Sequence, residues 1–409
     1  MNYYPELTGI GKYTGEMAEW LAAKGCQVTV VTAPPYYPAW KVAPGYFRFG
    51  YQREELNGVT IVRCPLWVPR HPSGVKRLLH LATFAISSFP LIIWHAFKLR
   101  PKLVFMVEPP LLCGFATLFA KRLAGGDAWL HIQDFEVDAA FSLGILKKNF
   151  LYRAVKFVEK WLMLRFDRVS TISCRMLEKL HAIGVPSAQQ MLFENWVDLE
   201  EIRPLETASS FRLELNIPND VTVLLYAGNM GQKQGLELAV LAARALSSRR
   251  DILFVLCGEG AVRAELEDMS TGYNNVKFMP LQPVDRLNEL LNLADLHILP
   301  QRPGVEEVAM PSKLLNMLAS GRPVIATATV GSPIATILRG SGGVVEPGDL
   351  DGFVGEIERF AHDAELRRRC GANGRAFALE HFGKESLLSK AFAHYLETSQ
   401  RALAYGDKR

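Results

Sequence analysis

Ser312 and Lys313 stand directly after Pro311, at the head of the apolar-periodic run LLNML. Proline fits the first turn of a helix, where its missing N–H costs nothing. The run therefore reads as a helix whose free N–H groups, with a hydroxyl and an ammonium beside them, attract an anion. Gly321 stops it, and residues 324–326 read as a short buried strand. An ordinary helix–strand unit would show the same pattern. A second cation, Lys233, lies in the glycine-rich run from Gly228 through Asn229 to Gly235, between a strand predicted at 221–227 and a helix at 236–246. A third polar group, His131, Gln133, Asp134, Glu136 and Asp138, closes a strand predicted at 129–133. Ligands of open α/β sheets bind beyond the carboxyl ends of strands, and alternation puts His131 and Gln133 on one face. A solvated loop is the other reading of that group.

The elements that must hold these residues repeat one plan twice, a glycine loop that opens a helix. The first copy is Thr8-Gly9-Ile10-Gly11, then a helix with Met17 and Leu21 on its core side, then a strand at 27–32. The strand that should precede this loop is missing, and in a doubly wound sheet it would be central. The expectation is a reading frame that starts further upstream. No acidic residue follows the 27–32 strand, where Thr32-Ala33-Pro34-Pro35 stands, so a dinucleotide cofactor is disfavoured. Further strands are expected at 59–63, 102–107, 168–173, 190–194, 252–257, 276–281 and 295–300. The prediction is an α/β protein of two Rossmann-like domains, 1–200 and 201–382, facing a central cleft, with a last helix in 383–409 crossing back to the first. Asp349 and Asp351, spaced like a metal motif, read instead as a helix cap.

Composition narrows the classes. A chain of 409 residues with 49% apolar and 22% charged residues is globular, and a net charge of +4 does not suggest nucleic acid. Six scattered cysteines without a CxxC pair argue for a reducing cytoplasm and against a zinc site. Residues 78–97 contain no Asp, Glu, Lys or Arg. They suit a buried helix, a helix lying in a membrane surface, or a span. Residues 147–168 read as a basic amphipathic helix, with Phe150, Phe157, Trp161 and Leu164 as the apolar stripe and Arg153, Lys156 and Lys160 on another side. That helix packs on the core or meets anionic lipid.

The segments YYPELTGIGKYTGEM, LHIQD, GQKQGLE and MPSKLLN, in this order, resemble glycosyltransferase family 4, whose two Rossmann-like domains form the GT-B fold. The likeness covers nearly the whole chain and is greatest to the colanic acid fucosyltransferase type of bacterial exopolysaccharide assembly. It implies a retaining, metal-independent transfer from a nucleotide-sugar donor, GDP-linked rather than UDP-linked, to a lipid-linked or saccharide acceptor. The first domain would bind the acceptor and the second the donor.

Residue by residue, the resemblance implies that Asn229 and Lys233 meet the donor diphosphate, together with Pro311, Ser312 and Lys313. Gly258 would form the next donor turn, and the stretch ending at Gln282 would meet the base. Asn316 stands where the family usually has a ribose-binding glutamate, and Val308 where a second glutamate is usual. Glu306 and Glu307 are out of register. Gly9 and Gly11 would let the backbone approach the acceptor side. Gln133-Asp134 replaces the family's His-Asp pair, so Asp134, with Gln133 and His131, is the candidate for orienting the acceptor hydroxyl or taking its proton. The implied location is the cytoplasmic face of the inner membrane, held peripherally, with no metal and no nucleic acid. A sugar-nucleotide epimerase of the same plan and an inactive membrane-associated binding protein are the competing readings.

Overall fold

Short aliphatic runs bounded by glycine or proline become parallel strands, and the longer periodic runs between them become helices. The computed structural model describes residues 1–6, 9–37, 39–70, 74–137, 150–302 and 312–406, with backbone alone at 74, 150–151, 312 and 397–406. The chain divides into two compact units, Met1–Glu194 and Asn195–Arg409. Both are α/β.

The first unit opens with helix α1 (Ile10–Ala23) and strand β1 (Val28–Thr32), followed by β2 (Gln52–Leu56) and β3 (Val59–Arg63). Helix α2 (Gly74–Leu99), β4 (Leu103–Glu108), α3 (Cys113–Ala124) and β5 (Asp127–Ile132) follow. Helix α4 (Phe150–Met163), β6 (Arg168–Thr171) and β7 (Gln190–Leu192) complete the part that positions the site. Two separate sheets result, β1-β3-β2 and β4-β5-β6-β7. Among the described residues no strand pairs with the free edges of β1 and β4. Met1 lies beside the end of β1, its carbonyl accepting from Ala33 N at 3.0 Å.

β2 has no counterpart in the sequence reading. Its residues, QREEL, are polar and lie on a sheet edge, so no apolar run marks it. Its signal was the turn: Asn57 and Gly58 both have positive φ, 49° and 79°, as the two central residues of a tight hairpin require.

The uncharged stretch is one 26-residue helix, α2, with Pro90 inside it. Only 17% of its most apolar window is buried, which overturns the buried-helix reading. His80, Phe84, Ser88 and Ala96 face inward, while Leu79, Ile86, Phe89, Trp94 and Phe97 face outward. At about 1.5 Å per residue the helix is long enough to cross a bilayer. Helix α4 is turned relative to the expected stripe. Phe157 is 69% exposed, while Glu159 is fully buried and takes an ion pair from Lys156 at 2.7 Å. Leu162, not Phe157, packs with Leu111 and Val137.

The second unit carries an unbroken parallel sheet in the order β10-β9-β8-β11-β12-β13. Its strands are β8 (Thr222–Ala227), β9 (Ile252–Cys257), β10 (Val276–Met279), β11 (Leu296–Leu299), β12 (Val324–Thr327) and β13 (Gly342–Val345). One core layer gathers Leu224, Phe254, Ile298 and Ile325 under Phe353 and Phe360. The Ser312–Ala319 helix packs Leu314, Leu315 and Leu318 into another layer with Val324 and Phe382. Asp349 caps the helix that follows it, accepting from Gly352 N at 2.9 Å.

Candidate active site

Three backbone turns meet at the carboxyl ends of β8, β9 and β11. Gly228, just after β8, donates its N–H to Cys257 O at 2.9 Å, and Met230 N donates to Glu259 O at 2.8 Å. The turns touch so closely that side chains are excluded. A β-carbon on Gly258 would stand 1.9 Å from Gly228 O, and one on Gly228 would stand 2.5 Å from Lys313 Cε. Both glycines also have positive φ, 149° and 140°. The Lys313 side chain therefore lies directly on the first glycine turn.

Its ammonium is held there. Lys313 Nζ donates to Tyr226 Oη at 2.6 Å and stands 4.5 Å from the centre of the same ring. Tyr226 in turn donates its hydroxyl to Asn229 O at 2.5 Å. Burial pushes the Lys313 pKa down to about 8 and raises that of Tyr226. The cation is thus placed at the mouth of the glycine turn and only partly solvated, which strengthens its pull on an anion. Lys233 sits on the exposed turn Gln232–Gln234, whose backbone is tied to the end of β11 by Arg302 N donating to Lys233 O at 3.2 Å. Asn229 is exposed, and Asn316 is half-buried one helical turn after Lys313, on the same face. Gln282 donates to Pro280 O at 2.9 Å beyond β10. The Ser312 backbone begins the helix, while its side chain, Pro311 and Val308 lie outside the described residues.

In the first unit, His131 and Gln133 share a face, with Gln133 Nε2 2.9 Å from His131 Nε2. His131 Nδ1 lies 2.8 Å from Ser170 Oγ, which also accepts from Trp129 Nε1 at 2.7 Å. With the Gln133 amide donating, His131 carries its proton on Nδ1 and gives it to Ser170. The ring is 5% exposed, and burial lowers its pKa to about 3. His131 is therefore neutral and enclosed, and it acts as a prop for Gln133. Asp134 follows on an exposed bend.

Residues 8–196 match the glycosyl transferase 4-like domain, and residues 209–377 match glycosyl transferases group 1. A putative colanic acid biosynthesis glycosyl transferase, WcaI of Escherichia coli (strain K12), is 39% identical over 399 residues, covering 95% of this chain and 96% of that protein. This chain is a glycosyltransferase of that family. Among solved structures, the enzyme is similar to sucrose-phosphate synthase from Thermosynechococcus elongatus, with a TM-score of 0.74 at 20% identity over 96% of this chain and 94% of that one. It is also similar to Anabaena HepE in complex with UDP-glucose, with a TM-score of 0.61 at 16% identity over 84% and 87% of the two chains. These likenesses show the fold.

The glycosyltransferase brings Asn229, Gly258 and Lys313 together around one turn and leaves His131 inside the sheet. Two groups escaped the sequence reading. Tyr226 looks in sequence like one more core residue of an apolar strand; only the turn it ends reveals its hydroxyl. Glu6, 6% exposed, takes the backbone N–H groups of Tyr36 and Tyr37 at 2.7 and 2.8 Å. It fixes the loop after β1 against the glycine turn, where a β-carbon on Gly11 would stand 2.5 Å from Glu6 O. Beneath Asp134, Glu108 is fully buried, and its pKa is raised by burial and by the neighbouring Glu136 and Glu159. Among the described residues no group of three His, Cys, Asp or Glu side chains is placed to hold a metal ion.

Proposed function

We propose that this enzyme transfers a sugar, with retention of configuration, from a nucleoside diphosphate donor held by the second unit to a lipid-linked saccharide held by the first. The observation that carries the reading is the Lys313 ammonium clasped by Tyr226 over the Gly228 turn. In this reading the bond between sugar C1 and the diphosphate oxygen breaks, and the leaving oxygens gather charge opposite Lys313, Lys233 and the start of the 312–319 helix. The acceptor oxygen bonds C1, and its proton passes to Asp134. Gln133, propped by His131, orients the acceptor hydroxyl. Asn316 and the backbone around Gln282 take the ribose and the base, with Gly9 and Gly11 lining the acceptor side.

The first choice of donor is a GDP-sugar, GDP-fucose in particular, on the resemblance of the motifs to the colanic acid fucosyltransferase type; the related WcaI is a putative colanic acid biosynthesis glycosyl transferase. The HepE complex favours UDP as the second reading. Attachment is peripheral, at the cytoplasmic face of the membrane, through the outward side of α2 and its surroundings. Phe89 and Phe119 stack at 6.5 Å there, and Phe157 stands exposed on basic helix α4. The deciding experiment titrates GDP-, UDP- and dTDP-sugars, then offers the tightest donor a polyprenyl-linked saccharide. Release of nucleoside diphosphate only when acceptor is present supports the reading. Epimerised donor without acceptor, or binding without turnover, rejects it. Release of the protein from membranes by salt supports peripheral attachment, and a requirement for detergent defeats it.

A further inference from the structure

Far from the donor turns, the second unit has a cavity of about 530 Å³ lined by Arg322, Arg367, Arg368 and Arg375, with Pro204 and Leu379 in its wall. Asp295 and Pro323, which also line it, immediately precede β11 and β12. The cavity thus opens at the amino ends of the strands, whereas Gly228, Gly258 and Lys313 stand at the carboxyl side of the same sheet. It belongs to no part of the site described above.

The charges in it do not cancel. Asp295 is the carboxylate among the lining side chains, and it is already engaged by Arg212 at 2.5 Å and by Val223 N at 2.8 Å. Arg368 pairs with Glu365 at the exposed rim. Arg375 donates to three backbone carbonyls, those of Ile202, Ala319 and Leu199, at 2.6, 2.8 and 2.9 Å. Arg367 donates to the carbonyls of Phe360 and Ala361. Arg322 Nε is buried without a hydrogen-bond partner. Burial lowers the pKa of both Arg322 and Arg375, so the fold holds these guanidinium charges at a cost. Among the described residues no salt bridge reaches Arg322, Arg367 or Arg375, and Asp295, the carboxylate whose charge acts on Arg322, is shared with Arg212.

We propose that this cavity is a second ligand site, for a small phosphorylated molecule such as a sugar phosphate. Guanidinium groups pair with phosphate through two parallel hydrogen bonds, more strongly than with neutral acceptors. Three of them around one space favour a dianion over a single carboxylate. The volume lies within the range of small-molecule sites and is far too small for a polymer. Leu379 and Pro204 give the carbon skeleton an apolar wall.

The test is titration calorimetry of the full chain with glucose 6-phosphate, with glucose as the uncharged control. Because a phosphate could also enter the donor site, the titration is repeated with Lys313→Ala. Binding of glucose 6-phosphate but not glucose, kept in Lys313→Ala and weakened about tenfold or more in both Arg322→Gln and Leu379→Glu, is the expected result. Leu379 is exposed, so its substitution leaves the fold intact and decides the matter if Arg322→Gln unfolds. No binding by the unaltered protein up to about 10 mM overturns the proposal. So does binding that disappears with Lys313→Ala yet survives Leu379→Glu.

Discussion

The two units carry the same alternation of strand and helix, but their sheets differ. In the second, β8 has a strand on each side, and its residues are buried up to Tyr226, with Ala227 half-buried. In the first, β1 and β4 are edge strands of separate sheets among the described residues: β1 is buried only at Thr32, and β4 only at Met106 and Glu108. A turn that ends a doubly flanked strand is fixed by its neighbours, as the contact between Gly228 and Gly258 shows. A loop that ends an edge strand needs other supports, and here Glu6 supplies one by binding the Tyr36 and Tyr37 amides. The glycine turns of the second unit are thus held through the backbone, and the corresponding loops of the first through a few side chains.

The largest effect expected from testing this contrast lies in the first unit. Asp134→Asn should lower turnover by about 10²–10⁴ and leave donor affinity unchanged, as read by single-turnover kinetics and calorimetry. Loss of donor affinity instead would move Asp134 out of the acceptor role. In the second unit, Lys313→Ala and Lys233→Ala should each cost roughly 100- to 1000-fold in rate with an unchanged circular dichroism spectrum. Near-normal rates in both would remove the anion site from the reaction.

Hydrogen exchange compares the two sheets directly. Amides of β1 and β4 should exchange at least about tenfold faster than those of β8 and β11, since local opening costs less at an unpaired edge. Equal protection would show that the edge position of β1 and β4 has no mechanical consequence. A pH profile then probes the Lys313 clasp. Because the ammonium titrates at about 8 in the free enzyme, kcat/KM for donor should be flat below that pH and fall above it as the charge is lost. Tyr226→Phe removes an acceptor of the ammonium proton, which favours the neutral amine and should move the bend to lower pH. A profile flat to about pH 9.5 would show that no essential group titrates near 8, and the Lys313→Ala rate then tells whether its charge is needed. Stability is probed by Gly258→Ala, which should destabilise the second unit by more than the about 1–3 kcal/mol of its backbone strain alone, because the β-carbon would also meet Gly228 O at 1.9 Å; the measurement is a lower melting temperature.

Much of this was readable from local pattern. The strands of the second unit, the glycine turns and the Asp349 cap follow from apolar runs and their punctuation, because each depends on neighbours in sequence. The readings that failed concern faces. Helix α4 has apolar residues on more than one side, so periodicity could not say that Glu159 turns in and Phe157 out. For α2, an uncharged run looks alike whether it is covered or bare, and only the packing on α3 shows that one side is bare.

Residue order by itself determined that this chain is a two-part α/β protein with glycine turns at strand ends, since steric and hydrophobic periodicity act over a few residues. Tertiary structure alone decided which side chains meet. Tyr226 and Lys313 are 87 positions apart, and His131 and Ser170 are 39 apart. Their contacts exist because parallel strands bring distant segments to one edge of a sheet.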